Sequence, residues 1–146
     1  MEYSTVFIRD GIKVFCNNSC RNILYREITK IISDGAYRTI ELMNGKEVYV
    51  KETLDFFALN LPLAFIRVHR SSIINLLHIK EYYSDKKRIR VIMHNNTIIQ
   101  VARSKKMFFL NRFHEMDQIS YPGSDCITCK FFYLFSKQEP FYFSKE

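Results

Sequence analysis

Apolar residues along this chain come in short runs that alternate with polar ones, and turn residues interrupt them every few positions. A period of two predicts half-buried strands. Runs at 6–9 and 13–16 flank Asp10-Gly11, a hairpin signal. Asn17-Asn18-Ser19 turns the chain into a third run at 20–25. Runs at 28–33 and 37–43 flank Asp34-Gly35. Asn44-Gly45 then predicts a type I′ hairpin to 48–51, where Val48 and Val50 alternate with Tyr49 and Lys51. Residues 53–61, TLDFFALNL, change period: Leu54, Phe57, Ala58 and Leu61 recur at helical spacing. Thr53 supplies an N-cap and Pro62 a stop.

Beyond Pro62, a strand is predicted at 65–69, and 71–75 reads as a turn into a short helical or irregular piece. A strand follows at 76–83, then a hairpin of 88–93 and 97–101 around Asn95-Asn96. A last short helix at 104–113 would turn Met107, Leu110, Phe108 and Phe113 inward. The expected fold is mainly β and antiparallel, with eight to ten short strands and two or three small helices. The strand–helix alternation of a doubly wound sheet is missing.

FIRVHRSSIIN at 65–75 is out of keeping with its surroundings. It has the profile of a buried strand but carries Arg67, His69 and Arg70, and a buried charge is costly unless paired. Charge along the rest of the chain bears on this. The 146 residues carry a net +7, unevenly spread. Residues 67–112 hold eleven lysines and arginines against only Glu81 and Asp85, whereas residues 1–66 are balanced at eight of each sign. Clustered positive charge is the footprint of a polyanionic partner. The basic residues of DKKRIR, 85–90, read as a solvated hairpin sooner than as a reader of DNA, and they could add non-specific attraction.

Length and composition, at 47% apolar and 25% charged, fit one soluble domain. No apolar run is long enough to span a membrane, and the start, MEYSTVFIRDG, lacks the marks of a secretory signal. A cytoplasmic protein is expected. Cys16, Cys20, Cys126 and Cys129 have the pair spacings of some four-cysteine zinc sites. However, the pairs lie far apart and the first straddles a turn, so free thiols and no metal are expected. His69, His78, His94 and His114 form no HExxH pattern, and there is no GxSxG elbow or glycine-rich phosphate loop. The expectation is a protein that is not an enzyme and needs no cofactor. Helix-turn-helix, zinc-finger and basic-zipper patterns are also missing, so DNA binding would fall to loops and strand ends.

FIRVHRSSIIN followed by LLHIKEY resembles the signature of the LytTR family of bacterial DNA-binding domains: Phe-x-Arg-x-His-Arg-Ser, an apolar-apolar-Asn step and a later Ile. Phe65, Arg67, His69, Arg70, Ser71, Ile73, Ile74, Asn75 and Ile79 meet it. ISDGAYRTIEL, NGKEVYVKETLDFF and NNTIIQVARSKKMFFL resemble further family blocks in the same order, so the resemblance spans 20–113. It implies an elongated antiparallel β-sandwich of small sheets that lies along double-stranded DNA and places loops in successive major grooves. By position, the implied contacts are Tyr37, His69, Arg70 and Arg103, with Lys105 and Lys106 suited to phosphates. Arg67 and Asn75 have two readings, DNA contact or bracing of the loop. Paired repeats are common targets of the family, which implies a homodimer on DNA.

The chain departs from the family pattern in three places. Ala102 replaces the usual serine, Tyr37 is bulkier than a small polar reader, and a stand-alone domain without a receiver ahead of the match is expected. The expected organisation is an N-terminal extension of short strands at 1–19, the LytTR-like domain at 20–113 and a tail at 114–146. The tail carries seven Phe or Tyr in its last sixteen residues. The rival expectation is a protein-interaction module on a LytTR-like scaffold that has lost DNA binding and docks a partner through this tail.

Overall fold

Glycine and asparagine set the turns, and the turns set three antiparallel sheets. The computed structural model describes residues 3–118. Strands β1 (Tyr3–Phe7), β2 (Gly11–Cys16) and β3 (Ser19–Leu24) form the N-terminal sheet in chain order. Strands β4 (Ile28–Asp34), β5 (Tyr37–Leu42), β6 (Glu47–Val50), β7 (Phe65–His69) and β8 (Ser72–Asn75) form the central sheet, in the spatial order β6-β5-β4-β8-β7. Strands β9 (Ile79–Ser84), β10 (Ile89–Met93) and β11 (Ile98–Val101) form the C-terminal sheet. Helix α1 (Leu54–Asn60) lies between β6 and β7, and α2 (Lys106–Gln118) follows β11 through a 3-10 turn at Arg103–Lys105.

Several local expectations hold with a changed mechanism. The 44–45 hairpin is not type I′, because that turn needs left-handed backbone at both central residues. Only Gly45 has it, at φ +86. Gly45 N instead donates to Leu42 O at 2.9 Å, closing a turn over Met43-Asn44 ahead of the left-handed glycine. Asn96, at φ +69, plays the same part in the β10–β11 hairpin, where its N donates to Met93 O at 2.8 Å. Gly11 has no left-handed backbone; a Cβ there would sit 2.0 Å from Ile23 O, so close strand approach demands glycine.

Two predicted elements are corrected. Residues 71–75 are not helical or irregular: Ser72–Asn75 is a strand that pairs with both β4 and β7. The predicted strand 76–83 begins instead with a 3-10 turn at Leu76–His78, because Asn75 Oδ1 accepts from Leu77 N at 3.0 Å and curls the chain.

Two cores result. The first lies between the N-terminal sheet, α1 and one face of the central sheet, and includes Ile12, Ile23, Tyr25, Ile31, Phe57, Leu61, Phe65 and Ile73. The second lies between the opposite face of β7 and β8, the C-terminal sheet and α2, and includes Ile66, Val68, Ile74, Val91, Val101 and Phe109. Strands β7 and β8 are therefore buried on both faces, which explains the near-continuous apolar run that holds the arginines. Burial, helped by the nearby Asp10 carboxylate, holds the Tyr25 phenol above its usual range, and its hydroxyl donates to Ile8 O at 2.8 Å.

The inward face of α2 is the expected one in part: Leu110 and Phe113 pack against the second core, but Met107 and Phe108 do not. Phe109 is fully buried, while Met107 and Phe108 are largely exposed. MFFL offers four adjacent apolar residues, so periodicity alone does not choose the face. The choice is made by Tyr82, whose ring meets those of Phe109 and Phe113 edge-on at 5.7 and 5.4 Å.

The cysteine pattern is also resolved for its first half. Cys20 stands opposite Phe15 and Cys16 opposite Ser19 in the β2–β3 ladder. Cross-strand partners share a face, so the two thiols project from opposite faces and do not converge on one ion. Cys126, Cys129 and the aromatic tail lie outside the described residues.

Candidate nucleic-acid interface

Strand β7 carries one extra residue near its end. Phe65 pairs with Asn75 and Arg67 with Ile73, but His69 pairs with Ser72, so Val68 is a β-bulge. Simple alternation would keep Phe65, Arg67 and His69 on one face. The bulge breaks that pattern and moves His69 to the face of Ile66 and Ile74, towards the C-terminal sheet. It also releases the Val68 carbonyl from the ladder. That oxygen accepts Ala102 N at 2.7 Å, tying the end of β7 to the loop after β11.

Arg67 stays on the first face and is paired. Its guanidinium forms an ion pair with Asp55 of α1 and donates to Arg70 O at 2.6 Å. Of its two readings, the geometry is that of a brace under the tip. The Arg67→Ala variant should lose about 1–2 kcal/mol of stability, because a charged donor to a carbonyl is removed. Asp55 is 83% exposed, so Asp55→Ala should change stability by less than about 1 kcal/mol. Urea titration of the two variants checks this contrast.

The tip itself is ordered by Ser71. Its backbone N donates to His69 Nδ1 at 3.2 Å, and its Oγ lies 2.9 Å from the same nitrogen. With Nδ1 accepting, the ring proton belongs on Nε2, which leaves that N–H as a donor on a partly exposed ring. Arg70 is exposed at the end of the strand, and among the described residues only its carbonyl is engaged.

Two further loops join this tip. Ser33 N donates to Ser71 O at 2.9 Å, so the Asp34–Ala36 turn sits beside Arg70. Tyr37 opens β5 next to that turn and is 42% exposed. Arg38, which the sequence pattern does not single out, locks the turn: it donates to Glu52 O at 2.9 Å, Lys51 O at 3.2 Å and Gly35 O at 3.3 Å. Nothing in a strand of alternating residues marks an arginine as a clasp; only the fold supplies its three carbonyls.

On the other side, Ala102 starts the Arg103–Lys105 turn without a side-chain cap, and Lys105 N donates to Ala102 O at 2.8 Å. Arg103 is exposed, and its guanidinium has no described partner. Lys105 lies over the Phe108 ring at 5.6 Å, and Lys106 Nζ donates to Asp85 O at 3.4 Å. Asp85 in turn accepts Lys87 N at 2.9 Å and Arg88 N at 2.7 Å, which holds its carboxyl below the usual range. The six candidate residues thus belong to three loops linked by the Ser33–Ser71 and Val68–Ala102 hydrogen bonds, at one end of the central sheet.

The model of the LytTr DNA-binding domain matches residues 18–114. The chain belongs to the LytTR family. LytTR domains bind DNA. A solved LytTr DNA-binding domain from Bacillus cereus has the same fold, with a TM-score of 0.59 at 19% identity. The similarity covers 77% of this chain and 96% of that one. No curated protein matches significantly. Among the described residues, no helix is long and apolar enough to cross a membrane, and no cluster of three or more His, Cys, Asp or Glu is placed to hold a metal.

Asn75 belongs to the LytTR signature but is fully buried and far from any reading role. Its Nδ2 donates to Ile28 O at 2.9 Å and Tyr25 O at 3.3 Å. Part of the signature is therefore core chemistry.

Proposed function

We propose that the protein is a bacterial transcriptional regulator that binds duplex DNA sequence-specifically and reads successive major grooves with its loops. Arg70 and Arg103 are the base readers. Arginine's planar fork matches guanine O6 and N7, and both guanidinium groups stand exposed on neighbouring loops. His69 Nε2–H, Lys105 and Lys106 serve phosphates, and Tyr37 contacts the backbone from the third loop. The observation that carries this reading is the Val68–Ala102 hydrogen bond, which sets the two arginine-bearing loops side by side. A homodimer of such modules on paired repeats fits the same reading.

Lys105→Ala tests the phosphate role. It should weaken selected and scrambled duplexes alike and reduce the slope of log K against log salt by about 1. An unchanged slope would remove Lys105 from the interface.

A further inference from the structure

We infer that the β9–β10 turn, Asp85–Arg88, is a second phosphate-binding edge that continues the interface along the duplex. This rests on the DNA-binding reading above and extends it to a loop outside the three already described. In the C-terminal sheet, Ser84 pairs with Ile89, and Ile89 pairs with Val101. The turn therefore lies on the same side of the sheet as Ala102 and Arg103, about 10 Å away at the usual strand spacing. Lys106 Nζ holds Asp85 O and fastens the turn to the first turn of α2.

The charge in the turn is available for a partner. Lys86, Lys87 and Arg88 are exposed, and among the described residues none is in an ion pair; Arg88 Nη1 donates to the neutral Gln100 side-chain oxygen at 2.9 Å, which orients the guanidinium without cancelling its charge. The nearest carboxylate, Asp85, is committed to the backbone amides of Lys87 and Arg88, so it shapes the turn. Arg90 adds a fourth cation on the outer face, opposite Tyr83 and Gln100. Glu81, the other acidic residue of this sheet, lies near the Tyr83 phenol, which it holds above its usual range. A rigid cationic turn in line with Arg103, Lys105 and Lys106 suits the regular phosphates of a duplex that runs past the reading loops.

The test is a salt titration of the triple variant Lys86→Ala, Lys87→Ala, Arg88→Ala in the full chain, on a duplex selected by the wild type and on its scramble. The slope of log K against log salt should become shallower by about 2–3, at roughly 0.9 for each phosphate that the variant no longer neutralises. The affinity ratio between the two duplexes should stay the same. A control, Arg21→Ala with Lys46→Ala, removes two exposed cations elsewhere and should leave the slope intact. A wild-type slope in the triple variant, or equal changes in triple variant and control, overturns the second edge. If the wild type itself prefers no duplex, the DNA-binding reading fails first, and that result is distinct from either of these.

Discussion

Asn75→Ala is expected to lose about 3–5 kcal/mol of folding stability. The side chain is wholly buried, and it makes three hydrogen bonds, to Ile28 O, Tyr25 O and Leu77 N. Alanine leaves two carbonyls and one amide without that partner, and each unsatisfied buried group costs about 1–3 kcal/mol. A domain of this kind has only about 5–15 kcal/mol in total. Asn75→Asp should be damaging as well, because an ionised carboxylate cannot donate to either carbonyl. Urea unfolding of both variants measures the effect. A loss under about 1 kcal/mol for Asn75→Ala would show that water replaces the amide, and Asn75 would no longer be the joint between β8 and the first core.

Arg103→Ala should cost about 1–3 kcal/mol in DNA affinity, roughly 5- to 150-fold, and relax the preference at one base position. The residue has little to do for the fold: it is exposed in a short turn held by backbone bonds from Ala102. Folding stability should therefore stay unchanged while recognition changes. Arg103→Lys sharpens the test. It keeps the charge but not the planar fork, so the salt slope should persist while base preference weakens. Competition binding against a set of single-base variants reads both quantities. An unchanged sequence preference in Arg103→Ala would take the base-reading role from this loop.

These two residues show how differently the sequence reveals its parts. Strand positions are legible wherever one face is buried, as at Val48 and Val50, because period-two alternation records burial directly. Strand β8 escapes such a reading because SSIIN has adjacent apolar residues facing two different cores, and no single-face pattern survives. The face of α2 is hidden for a similar reason: four apolar residues in a row leave the decision to Tyr82. At the candidate interface, the sequence names the residues but not their arrangement. Alternation places His69 on the face of Arg67, and the Val68 bulge, which no local residue pattern announces, puts it on the opposite one. The division of the arginines into brace and reader is likewise invisible, since Arg67 and Arg70 differ only in what the fold brings to them, Asp55 in one case and solvent in the other.

Selection from random duplexes at near-physiological salt, followed by salt titrations of the winner and of its scramble, decides whether the protein reads sequence. The expected result is an enriched motif in paired copies, bound at least about a thousandfold more tightly than the scramble. Equal binding to both, with only the salt dependence of counterion release, would contradict it and leave a basic β-domain that reads no sequence.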